Sequence, residues 1–474
     1  MITLRKGVVL FFTLAVIIPA TSATLEDIHL VGSIPTVDWV KGQGWVDVYS
    51  DGTIHVVYEA KYKSGPSIDN LGEAEVYAPG VTGIWNPKVF LDYQGEPHIV
   101  YQTGLGGEAS SVWYTTKKDG NWITPEKFTD RSETGQNRAM IPSLAIDSAG
   151  NILACSWAVS SNKTTRNAAT YRWRSPDGTW SSLKALEGGL NWSTTPKVEE
   201  VNGDFYMLYQ GSDWHIAGPV KAGGTFSTDG IGVHANDTSL HWTVLNEGAN
   251  FTVIDADTMV FTSGYRISGG CAVMAGIRMG TNFQIPVQLG TFTSPHRDCE
   301  SMIHPDVAVD KATGAKIVTA PNSVDSSGLF WVYENDAWTS TQKVYDDEWG
   351  MQFSDRIGPN VADLPGRGVI LCFRHNDNIY LRKLVTEGKL LEDSTVTGIT
   401  PVSRTRESLS GLRFIESGNT SFISTLVPTN KNFSVKISDL NGKVIGTYKQ
   451  MNAQALVAIV KHFPTGLYMF DVKK

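Results

Sequence analysis

Residues 85–102 read WNPKVFLDYQGEPHIVYQ, and residues 140–158 read MIPSLAIDSAGNILACSWA. Each stretch runs from a proline through alternating apolar residues into a turn containing Asp and Gly, and then into a second apolar run. Alternation with a period of two is typical of β-strands, and turns of this composition join the two strands of a hairpin. The two stretches therefore predict the same antiparallel strand pair, repeated along the chain.

The hairpin recurs at nearly constant spacing. Its leading proline stands at Pro87, Pro142, Pro196, Pro305 and Pro359. The double gap between the third and fourth of these holds a further copy, NFTVIDADTMVFTSG, in which Asn250 replaces the proline. An earlier copy, GWVDVYSDGTIHVVYEA, begins at Gly44. The sequence therefore contains seven units.

Each unit continues into an aromatic third strand and a fourth strand that often opens with tryptophan, as at Trp122, Trp180 and Trp338. Four strands in about 40 to 55 residues are typical of a propeller blade, whereas a β-sandwich domain needs about 100 residues. We therefore expect an all-β fold, a seven-bladed β-propeller over residues 24–390. The fourth-strand tryptophans are expected to pack between blades.

The chain opens with the features of a secretory signal peptide. Arg5 and Lys6 precede an uncharged run, GVVLFFTLAVIIPATSA from Gly7, which ends in small residues. This order of basic, apolar and small residues predicts a cleaved signal over residues 1–23. The run is short for a membrane span and no second apolar run follows, so we expect no transmembrane span in the mature chain and a secreted or cell-surface protein.

Charge and cysteine content narrow the function classes. The net charge of −8 argues against a nucleic-acid partner, which requires a basic surface. No CxxC spacing occurs, so no metal site is predicted, and no cofactor follows from the sequence. Cys271 and Cys299 lie in loop-like surroundings and are candidates for a disulfide in an oxidising compartment. Cys155 and Cys372 lie in apolar runs and are expected to be buried thiols.

Beyond Val385 the repeat ends. The polar stretch TEGKLLEDSTVTGITPVSRTRESLSG indicates a closing strand followed by a linker, the latter over residues 391–415. NFSVKISDLNGKVIGTYKQ then predicts a hairpin turned at Asn441-Gly442, and FPTGLYMFDVKK predicts a last strand. We expect a small β-sandwich-like module over residues 416–474.

The module resembles the C-terminal sorting domain of the type IX secretion system of Bacteroidetes-like bacteria. The matching motifs are DLNGKV, from Asp439, and PTGLY, from Pro464. The resemblance implies a bacterial protein that engages this secretion machinery. It carries no information on chemistry.

The repeat itself resembles the BNR-like propellers of the sialidase superfamily over about residues 40–385, through P-x-apolar-x-x-D-x-x-G followed by D-G-x-W. True Asp-boxes (S-x-D-x-G-x-T-W) are absent, and the only YRI tripeptide begins at Tyr265, in the fifth unit. Sialidase activity is therefore not expected. The build is also similar to seven-bladed polysaccharide lyases, including those acting on ulvan, which use His, Tyr and Arg.

The long loops before the first strands and between the second and third strands of the units share one face, where a site is expected. The candidate bases are His304, Tyr265 and His215. Arg266 and Arg356 are candidates to neutralise a carboxylate. The candidate substrate-binding residues are Trp85, Asn86, Arg138, Trp192, Trp214, Arg297, Asp355 and His375.

These residue types predict a carbohydrate site. Arginine binds carboxylate or sulfate in a bidentate manner, and aromatic rings offer apolar faces to sugars. A lyase needs a carboxylate neutraliser and a base, so we expect β-elimination of an extracellular, uronate-containing polysaccharide. The alternatives are a glycoside hydrolase using Asp213, Glu300 or Asp355, or a non-catalytic, lectin-like propeller. The residues before the first strands differ from unit to unit, which favours one asymmetric site.

Overall fold

In the computed structural model, all regular structure of the described residues is β-strand. The described residues are 23–34, 44–104, 110–129, 138–159, 168–187, 196–210, 214–227, 231–232, 248–267, 270–280, 282–283, 287–292, 305–321, 328–334, 336–344, 359–366, 368–375, 377–386, 412–416, 433–439, 444–451 and 467–473. These ranges contain no helix with the length and apolar character of a membrane span. The chain forms two compact units, Met1–Val396 and Thr397–Lys474.

The first unit opens with a strand that belongs to its last sheet, β1 (Thr24–Ser33). Blade one contains β2 (Gly44–Val48), β3 (Ile54–Tyr58), β4 (Lys61–Gly65) and β5 (Glu75–Val76). Blade two contains β6 (Ile84–Leu91), β7 (Pro97–Thr103), β8 (Ser111–Lys118), β9 (Asn121–Trp122) and β10 (Glu126–Thr129). Blade three contains β11 (Arg138–Ile146), β12 (Ile152–Val159), β13 (Ala168–Arg174) and β14 (Lys184–Glu187).

The later blades follow the same order. Blade four contains β15 (Lys197–Val201), β16 (Asp204–Gln210), β17 (Trp214–Val220) and β18 (Ile231–Gly232). Blade five contains β19 (Ala249–Val253), β20 (Thr258–Ile267), β21 (Gly270–Met279), β22 (Asn282–Phe283) and β23 (Val287–Phe292). Blade six contains β24 (Asp306–Val309), β25 (Lys316–Pro321), β26 (Gly328–Glu334), β27 (Ala337–Trp338) and β28 (Gln342–Lys343). Blade seven contains β29 (Asn360–Leu364), β30 (Gly368–His375), β31 (Asn378–Val385) and β1.

The blades form a closed ring. Each is an antiparallel sheet. In blades one to six the strands follow chain order from the inside outwards, whereas in blade seven β1 is the outermost strand. Each inner strand contacts those of both neighbours, and β2 meets β29 to close the circle. One apolar cluster fills each of the seven interfaces between consecutive blades. Burial of apolar surface between sheets is the main stabilising contribution in such a fold. The predicted seven-bladed β-propeller is confirmed.

The inner strands alternate between the two neighbouring blades. In β6, Val89 packs in the cluster shared with blade one, whereas Phe90 packs against the cluster shared with blade three. The residues that point back to the preceding blade are all buried and apolar: Val46, Val89, Leu144, Val198, Phe251, Val307 and Val361. The residues on either side of each therefore point towards the next blade or the channel.

The fourth-strand tryptophans bind the preceding blade, as predicted. Trp122 Nε1 donates a hydrogen bond to Glu75 Oε2 of blade one at 3.0 Å, and its ring packs edge-on against Tyr62. Trp180 repeats the contact one blade later, donating to Glu126 Oε2 at 2.8 Å. Trp338 packs against the cluster between blades five and six. These residues are structural.

The cysteine predictions are confirmed where the structure describes the side chains. Cys155 and Cys372 are buried free thiols, each within an apolar cluster between blades. Cys299 and the side chain of Cys271 lie outside the described residues, so the disulfide stays a prediction.

The closing strand differs from the prediction. A strand after Val385 was expected to complete the last blade, but β1 pairs with β31 instead, from Thr24↔Val385 to Ser33↔Asn378. The prediction was wrong because charged residues interrupt the apolar pattern of TLEDIHLVGS, so it does not read as a strand. The two ends of the propeller are thus joined by hydrogen bonds.

The second unit is a four-stranded antiparallel sheet of order β32-β35-β33-β34. Its strands are β32 (Leu412–Glu416), β33 (Phe433–Asp439), β34 (Val444–Met451) and β35 (Leu467–Lys473). The predicted hairpin and last strand are confirmed, and β32 begins inside the stretch interpreted as a linker. The turn at Asn441-Gly442, the Pro464–Gly466 turn and residues 1–22 lie outside the described residues. Sorting and the signal peptide stay predictions.

Ring closure by β1 can be tested with Val31→Asp. Val31 is 3% exposed in the cluster between blades seven and one, so an unpaired carboxylate there should lower the free energy of unfolding by about 3 kcal/mol or more. Denaturant unfolding measures the change. The matched control is Leu30→Asp, on the same strand but 60% exposed, which should be nearly neutral. Equal effects of the two substitutions would contradict the closure by β1.

Candidate functional site

The seven inner strands share one structurally equivalent position. It is held by the residues after the leading prolines, or their counterparts, which immediately precede the buried apolar residues that point backwards. In blade five the proline position is held by Ala249, one residue before the predicted Asn250. We call the seven residues the channel ring: Trp45, Lys88, Ser143, Lys197, Asn250, Asp306 and Asn360. Because inner strands surround the central channel of a propeller, this ring brings seven side chains of five kinds to one level.

One part of the channel ring combines an aromatic ring with two cations. The Nζ atoms of Lys88 and Lys197 each lie 4.8 Å from the centre of the Trp45 ring. Trp45 belongs to blade one and Lys197 to blade four, with two blades between them, so their contact spans the channel. Ammonium groups at this distance are attracted to the indole face.

Burial acts strongly on Lys88. The residue is only 4% exposed. Burial lowers the pKa of Lys88 well below its usual value, and the neighbouring Lys197 ammonium lowers it further, whereas Asp306 acts in the opposite direction. Two cations are thus held together in an environment that disfavours charge.

The opposite part of the ring is a hydrogen-bonded chain through four blades. Asn250 Nδ2 donates to Asp306 Oδ1, and Asn360 Nδ2 donates to Asp306 Oδ2 at 2.6 Å. The backbone N–H of Val361 donates to the same Oδ2 at 2.9 Å, and that of Val46 donates to Asn360 Oδ1 at 2.7 Å. Asp306 is buried, and these donors stabilise its carboxylate.

Two carboxyl groups, those of Asp47 and Glu199, each lie two residues after a channel-ring residue of the same strand. Because side chains alternate along a strand, they lie on the same side as the ring. Burial raises the pKa of Glu199 to about 8, although Lys197 and Lys311 act to lower it. Burial also raises the pKa of Asp47 to about 6, against the backbone N–H groups of Val48 and Leu91 that donate to it. Glu199 is therefore mostly protonated at neutral pH and can donate a proton.

Chemically, the channel offers cations that can bind an acid group, an indole face for a sugar ring, and a protonated carboxyl group. Within the described ranges, no group of three or more His, Cys, Asp or Glu side chains is arranged to hold a metal ion.

The predicted site residues fall into two groups. Five lie outside the described residues: Trp192, Arg297, His304, Asp355 and Arg356. Eight lie on described strands: Trp85, Asn86, Arg138, Trp214, His215, Tyr265, Arg266 and His375. Strand direction places all eight at the end of the sheets where the inner strands begin, which is the face expected from the sequence. Their roles stay predictions.

Some of these side chains have structural contacts. Asn86 is buried at a β-bulge of β6 with a positive φ of 46°, and its Nδ2 donates to Gln102 Oε1 at 3.3 Å. Trp85 and Trp214 are also buried. His215 is half-buried and stacks on Tyr209 at 5.4 Å. These contacts hold the four side chains in place at the predicted face.

His375 is half-buried at the C-terminal end of β30, and its ring centre lies 6.4 Å from that of Tyr380. For Arg138, Tyr265 and Arg266 the structure describes the strand but not the side chain.

The sequence predicted candidate residues before the prolines, such as Asn86, but no residue of the channel ring, which lies after the prolines. The signal was the tripeptide PKV, which occurs at Pro87 and again at Pro196. A lysine next to a buried valine at a strand start predicts that the lysine lies on the opposite side.

No protein-family model and no curated protein matches the chain. Among solved structures, it is similar to the NanB sialidase from Streptococcus pneumoniae, with a TM-score of 0.44 and 10% identity over 71% of this chain and 82% of that one. It is also similar to an ulvan lyase, with a TM-score of 0.41 and 13% identity over 77% and 97% of the two chains. It is similar as well to an α-L-arabinanase from Penicillium chrysogenum, with a TM-score of 0.44 and 8% identity over 77% of this chain and 98% of that one. At these scores the similarity assigns no activity.

The raised pKa of Glu199 predicts a pH dependence of stability. Because the folded chain binds this proton more tightly than the unfolded chain, the stabilisation is complete below about pH 4.5 and is lost as the pH rises through about 8. Asp47 and Asp363, with pKa values of about 6, contribute at lower pH. We expect the melting temperature to fall between pH 6 and 8 in the wild type, and to fall less in Glu199→Gln.

The control for this experiment is Glu73→Gln, which changes an exposed carboxyl group. Thermal unfolding followed by circular dichroism across that pH range gives the two slopes. A Glu199→Gln slope equal to that of wild type and control would disprove the assignment.

Proposed function

We propose that this protein is a carbohydrate-active propeller that binds an acidic polysaccharide at the end of the channel where the inner strands begin, and that it cleaves uronate-containing chains by β-elimination. The observation that carries the proposal is the contact of Lys88 and Lys197 with Trp45. An aromatic face beside cations matches an acidic sugar, which has an apolar ring face and a negative group.

Elimination assigns different tasks to different groups. A base removes the proton at C5, next to the carboxylate; a double bond forms between C4 and C5, the bond from C4 to the glycosidic oxygen breaks, and that oxygen takes up a proton. Negative charge develops on the carboxylate, so a cation such as Lys197 would stabilise the transition state. His215, Tyr265 and His304 remain the proposed bases. Arg266 and Arg356 remain proposed neutralisers.

One observation favours a second candidate, a glycoside hydrolase. Glu199 is mostly protonated at neutral pH, and its neighbour Asp47 has a lower pKa. Two carboxyl groups with separated pKa values are the pattern of an acid and a base or nucleophile in glycoside hydrolysis. This candidate predicts new reducing ends without an unsaturated product.

The experiment exposes the full chain to a panel of uronate-containing and sulfated polysaccharides. Ultraviolet absorbance of the unsaturated product and new reducing ends are followed in parallel. We expect both signals to rise together. Lys197→Met should lower the rate by about 100-fold, as is typical when one stabilising charge is removed from a transition state.

Tyr265→Phe and His304→Ala should each lower the rate by about 100-fold or more if that residue is the base. Lys118→Met is the control, because Lys118 is an exposed lysine at the opposite end of its sheet. Reducing ends without ultraviolet absorbance, together with loss of activity in Glu199→Gln, would replace the lyase by the hydrolase. Binding without either signal would identify a lectin-like propeller.

A further inference from the structure

We propose that Lys88 and Lys197 form a subsite for one acidic group, a carboxylate or a sulfate, carried by a sugar at a chain end or branch that enters the channel. The assignment of the acid group to a glycan rests on the function proposed above. The subsite itself is argued from the charges and contacts of the channel ring.

The two ammonium groups lack a counterion in the described part of the chain. No described carboxylate lies within 4.0 Å of either Nζ atom, the distance of an ion pair. Lys88 is more than nine-tenths buried, so water cannot solvate it fully. Burial therefore works against the charge of Lys88, as its lowered pKa indicates, and a bound anion would stabilise the charged form.

The nearest acidic groups make no direct contact with the two ammonium groups. Both oxygens of Asp306 already accept hydrogen bonds, from Asn250, Asn360 and the backbone of Val361. Glu199 is mostly uncharged at neutral pH, since its pKa is raised to about 8. The described carboxylates therefore form no ion pair with the Lys88–Lys197 side of the channel.

The size of the site limits the ligand. Both Nζ atoms lie at 4.8 Å from the same indole centre, and Lys197 is close enough to Lys88 to lower its pKa, so one small anionic group can reach both. Carboxylate and sulfate each offer at least two oxygens to two donors. Trp45 is partly exposed beside Phe90, and its apolar ring suits the carbon-bound hydrogens of the sugar that carries the group.

The location favours a chain end or a branch over the middle of a polysaccharide chain. Lys197 meets Trp45 from three blades away, so the group that binds them must enter the ring of inner strands. A sugar within a chain continues in two directions and would have to thread the channel. At the opposite end of the channel, Tyr93 Oη of blade two donates to Glu200 Oε2 of blade four at 2.8 Å, past the end of blade three. We expect a chain end or a branch to enter from the side where the inner strands begin.

The test is calorimetric titration of the full chain with four probes: sodium glucuronate, glucose 6-sulfate, inorganic sulfate and methyl glucoside. We expect at least one acidic sugar to bind and the neutral methyl glucoside to give no signal. Binding of glucuronate assigns the subsite to a carboxylate, and binding of glucose 6-sulfate assigns it to a sulfate. Binding of inorganic sulfate alone would overturn the assignment to a sugar.

The variants are Lys88→Met, Lys197→Met and the control Lys118→Met. We expect affinity for the acidic sugar to fall at least tenfold in each of the first two and to stay unchanged in the control. Thermal unfolding checks the fold, and the half-exposed Lys197 keeps the test decisive if Lys88→Met does not fold. Unchanged affinity in Lys197→Met would overturn the subsite.

The subsite and the cleavage reaction can fail separately. Acidic sugars that bind through the two lysines, without cleavage of any polymer, would leave the subsite standing and reject the lyase. Cleavage that acidic sugars do not inhibit, and that produces long fragments from the first minutes, would support a lyase and reject the restriction to chain ends. Products of one or two sugars from the start of the reaction are expected.

Discussion

The structure depends on a single apolar side chain in each inner strand, buried against the preceding blade. Val89 and its six counterparts fix the side on which every other inner-strand residue lies. Because side chains alternate along a strand, the residue before each of these anchors is directed towards the channel or the next blade. The packing of the ring and the composition of the channel therefore follow from the same constraint.

This constraint lets the channel be polar without weakening the ring. The apolar clusters stabilise the blade interfaces, while Asp306, Asn250 and Asn360 join three of the inner strands by hydrogen bonds. On the other side of the channel the lysines contact Trp45, without such a chain of partners in the described residues. The ring thus has one part whose polar side chains hydrogen-bond to one another and one part that is suited to a ligand. That asymmetry agrees with a single site rather than seven repeated ones.

The sequence alone predicted the blades because their prolines and Asp-Gly turns recur in register, and local turn chemistry is readable from a few residues. β1 was missed because Glu26 and Asp27 hide its strand character and because its partner lies at the far end of the propeller. The contact between Trp45 and Lys197 was missed for a similar reason. It depends on the closure of the ring, which brings together residues that no local pattern connects. The end of the sheets that carries the long loops could be predicted, because the succession of hairpins determines the direction of every strand.

The position of β1 also has a consequence for how the chain acquires its fold. The first strand to be synthesised has no partner until β31, more than 340 residues later, has been made. Contacts of such large sequence separation form slowly, because a long loop must close before any hydrogen bond is gained. Blade seven therefore cannot be completed during synthesis of the first six blades. The nascent propeller remains an open arc with two unpaired edges until β31 has been made.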